Sequence, residues 1–189
     1  MAGLPGLNLL GISGSTRKAS LNRALLLTIA ELLPTEAKLT LWDGLDTLPI
    51  FNSDLPEPAA VIALKAAIAG ADGVIVAVPE YNYSIPGGLK NALDWVSRPP
   101  ATSPLRGKPT AICGAATGMS GTIRAQNHLR QMLVYSDTPV MNQPEVLIPR
   151  AHERFDQTGT LTDESTRQLL TRYAVAVTAF VRKQRVLAT

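Results

Sequence analysis

A short apolar run, a turn of small and polar residues, and a stretch of helical spacing follow one another five times along this chain. Leu7–Ile12 is apolar and stops at Ser13 and Gly14; Leu21, Leu25, Ile29, Leu32 and Leu33 then recur at helical spacing until Pro34. Ala37–Asp43 predicts a second strand, a proline-containing loop follows, and residues 59–69 are helical in composition. Gly73–Val78 is the plainest strand, stopped by Pro79, and a helix over 87–96 starts from a glycine pair. Residues 109–116 predict the fourth strand and 123–133 its helix; Glu145–Ile148 predicts the last strand and 163–186 a long closing helix. Apolar strands without strict alternation, each followed by a helix, define a parallel sheet covered on both faces. With no repeat, low-complexity segment or linker, residues 1–189 read as one doubly wound α/β domain. Such sheets hold ligands beyond the carboxyl ends of their strands, so the post-strand loops are where chemistry is expected.

The apolar fraction of 46% suffices for a full core at this length. The net charge of +3 is mild and the basic residues are scattered, so nucleic acid is not the expected partner. The basic cluster Arg182–Arg185 reads as a solvated helix end favoured by the helix dipole. Cys113 is the sole cysteine, which excludes an intrachain disulfide and a multi-cysteine metal site; in mid-strand it reads as a small buried apolar group. His128 and His152 have no partner at metal-ligand spacing, and Trp95 reads as packing. No window is long enough for a membrane span, and the first twelve residues lack the pattern of a signal peptide. A cytoplasmic protein without membrane or nucleic-acid partners is the expectation.

The first loop, "GSTRKASLN", lies between a strand and the helix it feeds. Free amides at a helix start and the positive dipole end attract anions. Ser15, Thr16 and Ser20 add hydroxyls, Asn22 an amide, and Arg17 a fork for phosphate oxygens. Ser20 alone would read as a helix cap. The full set in one turn points instead to an anion site. Lys18 is outside the Walker A frame, no cysteine nucleophile is present, and the dinucleotide glycine pattern is missing. The loop is therefore built to hold a phosphate, not to transfer one. After the third strand, Tyr81, Asn82 and Tyr83 offer stacking surface and hydrogen bonds for a planar ring with a polar edge. After the fourth, Gly114, Gly118 and Gly121 with Thr117 and Ser120 form a second small-residue turn before a helix.

Together "GSTRKASLN", "PEYNYSIPGGLKNALDW" and "IRAQNHLRQ" resemble the NADPH-dependent FMN reductases, in particular the chromate- and quinone-reducing branch. The resemblance implies a flavodoxin-like five-stranded parallel sheet in the order 2-1-3-4-5 with helices on both faces. It implies FMN as cofactor, with Ser15, Arg17, Ser20, the Leu21 backbone and Asn22 on its phosphate. Pro79, Glu80, Tyr81, Asn82 and Tyr83 would line the flavin ring, and the loop 115–121, Ser120 included, would close its other edge. NADPH or NADH would be the donor and a quinone-like molecule the acceptor, in a ping-pong hydride mechanism; chromate, azo compounds and free flavin are further acceptors of the branch. No catalytic side chain and no metal are expected, since the chemistry belongs to the flavin. The family also implies a homodimer or homotetramer, with Arg124, Asn127 and Glu145 at the positions of an interface network, though relatives often have tyrosine where Asn127 stands. Thr122 stands where many members have the second glycine of a pair. The other reading is a flavodoxin-type electron carrier without nicotinamide turnover. The positive balance and Arg17 argue against it, since flavodoxins are typically acidic.

Overall fold

In the computed structural model residues 6–187 are described, so the first five residues of the stretch read as no signal peptide lie outside them. Strand β3 (Gly73–Ala77) is buried at every position, which follows from its uninterrupted apolar sequence. It lies in a five-stranded parallel sheet with β1 (Leu7–Ser13), β2 (Ala37–Trp42), β4 (Thr110–Ala115) and β5 (Leu147–Ile148), in the order β2-β1-β3-β4-β5. This is the expected flavodoxin-like order. β5 is two residues long where four were expected, because only Leu147 and Ile148 find partners on β4, at Gly114 and Ala115.

Period-two packing divides the core. Leu9, Ile75, Ala77 and Cys113 face α1 (Leu21–Leu32) and α5 (Glu164–Leu187). Leu10, Ile12, Val74, Val76 and Ile112 face α2 (Ala59–Gly70), α3 (Gly87–Val96) and α4 (Ile123–Tyr135). Leu25, Leu26 and Ile29 of α1 are fully buried, and the helix ends one residue before Leu33, which Pro34 holds extended. Asp163 caps α5: its carboxylate accepts the Thr166 N–H at 2.7 Å. Hydrogen bonds from the hydroxyls of Thr166 and Ser165 hold its carboxyl well below the usual range.

The α5 terminus differs from the expected solvated end. This helix runs back to where β2 and β3 begin, so Arg182 meets Glu36 at 3.2 Å and Arg185 meets Asp72 at 2.8 Å. Cys113 is 0% exposed and burial pushes its thiol up to about 12, so it has the inert apolar role expected of it. Trp95 packs as expected, edge-on to Phe51 at 4.9 Å with its indole N–H donated to Pro49 O. Because β1 is flanked by β2 and β3, the chain reverses direction across the sheet there, and the crevice opens beyond Ser13 and Ala77.

Candidate functional site

That crevice is a cleft of about 360 Å³. From the first loop it is lined by Ser15, Arg17, Ser20, Leu21 and Asn22, from the second by Pro79 through Tyr83, and from the third by Ala115–Gly118 and Ser120. The residues expected on the phosphate and the ring therefore meet in one place, although they come from loops far apart in the chain, while Thr16 lines a separate space beside Trp42 and Asp46.

The cradle at its first end follows from helix-start chemistry. Ser20 Oγ caps α1 by accepting the Arg23 N–H at 3.2 Å, which leaves its own proton to donate into the cleft. The amides of Leu21 and Asn22 are first-turn donors with no acceptor inside the helix. Arg17 is exposed and makes no side-chain ion pair among the described residues. Asn22 is placed differently from a simple phosphate ligand. It is 3% exposed, and its side chain both donates to Ala115 O and accepts from Ala115 N, each at 2.9 Å. The side chain thus clasps the start of α1 to the end of β4, and its backbone N–H and the second Nδ2 proton are the donors not used by that clasp.

The second loop makes a tight turn. Tyr81 and Ser84 exchange both backbone hydrogen bonds at 2.9 Å, while Asn82 and Tyr83 have φ of 49° and 65°. Two left-handed residues in a two-residue connection are the type I′ geometry usually met by Asn-Gly. Tyr83 occupies the glycine position at a cost of about 1–2 kcal/mol. Neighbouring contacts sustain it: the Arg124 guanidinium lies 4.1 Å from the Tyr83 ring centroid, and His128 Nδ1 is 3.0 Å from Ser84 Oγ.

Glu80 ties this turn to the third loop. Its carboxylate, on a side chain 7% exposed, accepts from Arg124 Nη1 at 2.7 Å, from the Arg124 backbone N–H at 3.1 Å and from Ser120 Oγ at 3.1 Å. Burial pushes the carboxyl up, but the hydrogen bonds from Arg124 and Ser120 outweigh it and leave the net shift downward. Glu80 is thus an ionised acceptor at neutral pH. Arg124, which the resemblance puts in an interface network, also clamps Glu80 within the chain from its place one residue into α4. Asn127 and Glu145 are exposed and are not drawn into the cleft.

Thr122, just before α4, is fully buried with φ 75°. A glycine adopts that conformation without strain, which accounts for the expected glycine there. Thr122 Oγ1 instead accepts from Gln126 Nε2 at 3.1 Å. Thr122→Gly relieves about 1–2 kcal/mol of strain and loses a buried methyl and an acceptor of about the same worth. Thermal unfolding should therefore show it nearly neutral. Thr122→Val keeps the strain and drops the acceptor, and should cost about 1–2 kcal/mol.

A doubly wound sheet with an anion cradle at its switch point, facing an aromatic turn, defines a nucleotide- or flavin-binding α/β protein. The sequence model for NADPH-dependent FMN reductase matches residues 7–153. The chain is 44% identical to an NAD(P)H-dependent FMN reductase of Pseudomonas aeruginosa, over 95% of this chain and 97% of that protein. It is 42% identical to a 2-hydroxy-1,4-benzoquinone reductase of a Burkholderia species, over 93% and 96%. Among solved structures, the flavoenzyme NAD(P)H:(acceptor) oxidoreductase FerB of Paracoccus denitrificans superposes with a TM-score of 0.86 at 34% identity, over 94% of this chain and 98% of that one. The chain belongs to the NADPH-dependent FMN reductase family. It is accordingly an oxidoreductase that uses FMN and a nicotinamide donor.

Proposed function

We propose that this protein passes electrons from NAD(P)H through FMN to quinones and similar small acceptors, chromate, azo compounds and free flavin among them, by a ping-pong mechanism. One observation carries the reading: a single cleft joins an anion cradle with an unpaired arginine to an exposed aromatic turn. The relatives named as quinone reductases supply the acceptor class.

The donor set fits FMN. Ser15, Arg17, Ser20 and the amides of Leu21 and Asn22 would hold its phosphate, and Pro79, Glu80, Tyr81, Asn82, Tyr83 and Ser120 would line the ring. Bound FMN supplies two-electron acceptance from a nicotinamide and electron delivery to an oxidant. The protein's part is placement. Asn22 fixes the cradle relative to β4, while Glu80 and Arg124 fix the turn against the third loop. Tyr81 and Tyr83, 45% and 68% exposed, leave the ring side open. Donor and acceptor would use that opening in turn, which is the structural basis proposed for ping-pong exchange. No side chain in the cleft is proposed as an obligatory proton donor, since Glu80 is held ionised. The working form is proposed to be a single-domain chain in a cytoplasmic homodimer or homotetramer.

The test is the visible spectrum of the purified protein under anaerobic conditions. A flavin band that bleaches with NADPH and returns with a quinone is the expected result; a flavin band unmoved by either nicotinamide would favour the electron-carrier reading. Arg17→Ala should weaken FMN binding about tenfold in a fluorescence titration, the loss of one exposed charge-assisted contact. An unchanged affinity would remove Arg17 from the cradle.

A further inference from the structure

Behind the cradle lies a second groove of about 420 Å³, on the opposite side of Arg17 and Ser20 from the turn. Its floor is apolar, formed by Ala24, Leu27 and Phe155, and Gly159 lies against Ala24 so closely that an added Cβ would come within 3.4 Å of the Ala24 Cβ. Arg17, Lys18 and His152 stand on its rim. Arg17, Ser20, Leu21 and Thr117 line both spaces, so the groove is continuous with the cleft.

We propose that this groove takes the adenosine end of NADPH, with Lys18 as a ligand of the 2′-phosphate; the proposal rests on the nicotinamide-dependent reading above. An apolar floor with cations at its rim suits a purine that carries a phosphate. Lys18 is exposed and has no acidic partner among the described residues, whereas Arg23 in the same groove is neutralised by Asp43 at 3.1 Å. Asp156, the acidic residue among those lining the groove, accepts the N–H and hydroxyl of Thr158 and the N–H of Thr160 at 2.6 to 2.9 Å, all on Oδ1, so that oxygen is engaged by its own loop, and Glu153 sits 3.7 Å from His152 on the rim, away from Lys18 in the chain. Lys18 also borders a smaller space beside β2, but Asp43 and Asp46 both face that one and disfavour a phosphate there. A phosphate drawn to Lys18 is thus better held on the Phe155 side.

The experiment titrates the protein, with FMN present, with adenosine 2′,5′-bisphosphate and with adenosine 5′-monophosphate by calorimetry, and measures KM for NADPH and NADH in parallel. The bisphosphate should bind about tenfold more tightly, the equivalent of about 1.4 kcal/mol. Lys18→Ala should abolish that preference and raise KM for NADPH about tenfold more than KM for NADH. Lys18→Arg should restore both, and Lys38→Ala, a cation on β2 outside the groove, should leave the preference intact. Equal affinity for the two nucleotides, or equal changes in both KM values, would overturn the proposal. Failure of the oxidoreductase reading is distinguishable: neither nicotinamide would be oxidised, while the bisphosphate preference would still report on the groove.

Discussion

Asn22→Ala lowers the melting temperature by roughly 10 °C, the largest effect expected of any single side chain in the cleft. The residue is 3% exposed and bonds both backbone groups of Ala115 at 2.9 Å. Removing it leaves a buried N–H and a buried C=O unpaired at the end of β4. Each such group costs about 1–3 kcal/mol, so a loss of about 3 kcal/mol is a central value. Asn22→Asp is no rescue: its two oxygens accept from Ala115 N but face Ala115 O without a proton, and a charge is buried against a carbonyl oxygen. Both variants should also lose FMN on gel filtration, because the start of α1 is no longer held against β4. A melting temperature within a degree or two of the parent would show that the clasp contributes little.

The second large effect is at Glu80. Glu80→Ala strands the Arg124 guanidinium and removes the acceptor for Ser120 Oγ and the Arg124 N–H. Hydrogen bonds to a charged group contribute about 1.5–3 kcal/mol; with Arg124 half exposed, about 2 kcal/mol is expected in all. The Tyr83 turn should loosen with it, since Arg124 covers the ring of a residue held at positive φ. Glu80→Gln keeps the shape and loses the charge, and should fall between alanine and the parent. The pH dependence has a definite sign. The folded carboxyl titrates below its ordinary 4.5, so its stabilisation is complete above that value and is lost as pH falls through the lower folded one. Melting temperatures between about pH 3 and 6 should therefore drop more steeply for the parent than for Glu80→Gln. Parallel curves would rule out Glu80 as the titrating group.

Much of this could be read in the sequence because the cues are local. The continuous apolar run of β3 and the helical spacing from Leu21 each depend on neighbours a few residues away. The bounds of Gly87–Val96 are legible in the same way, from the glycine pair that opens the helix. The cleft residues were legible as a group since the loop after each strand of a doubly wound sheet falls at the same edge. What was hidden depends on partners distant in the chain. Nothing near Asn22 tells that its amide reaches a strand 93 positions away, or that Glu80 meets an arginine 44 positions on. The left-handed turn at Asn82 and Tyr83 lacked the glycine that announces such turns. At Arg182 the local pattern gave a solvated end, and the pairing with Glu36 appears only once α5 is laid along the sheet.

The clasp at Asn22 also bears on how such a scaffold can diversify. One end of the cleft is made of atoms committed to the core, where a substitution is penalised in folding before it is tested in catalysis. The other end is a turn whose two tyrosines are largely exposed and which is held through the buried Glu80 carboxylate by the half-exposed Arg124. The exposed side chains of residues 81–83 and 117–119 can therefore drift with little cost to the fold, while Asn22, Glu80 and Ser120 stay fixed. On the proposed reading, acceptor preference would be a freely evolving trait attached to an inherited flavin grip, and lineages sharing this chain's cradle would differ chiefly in what they reduce.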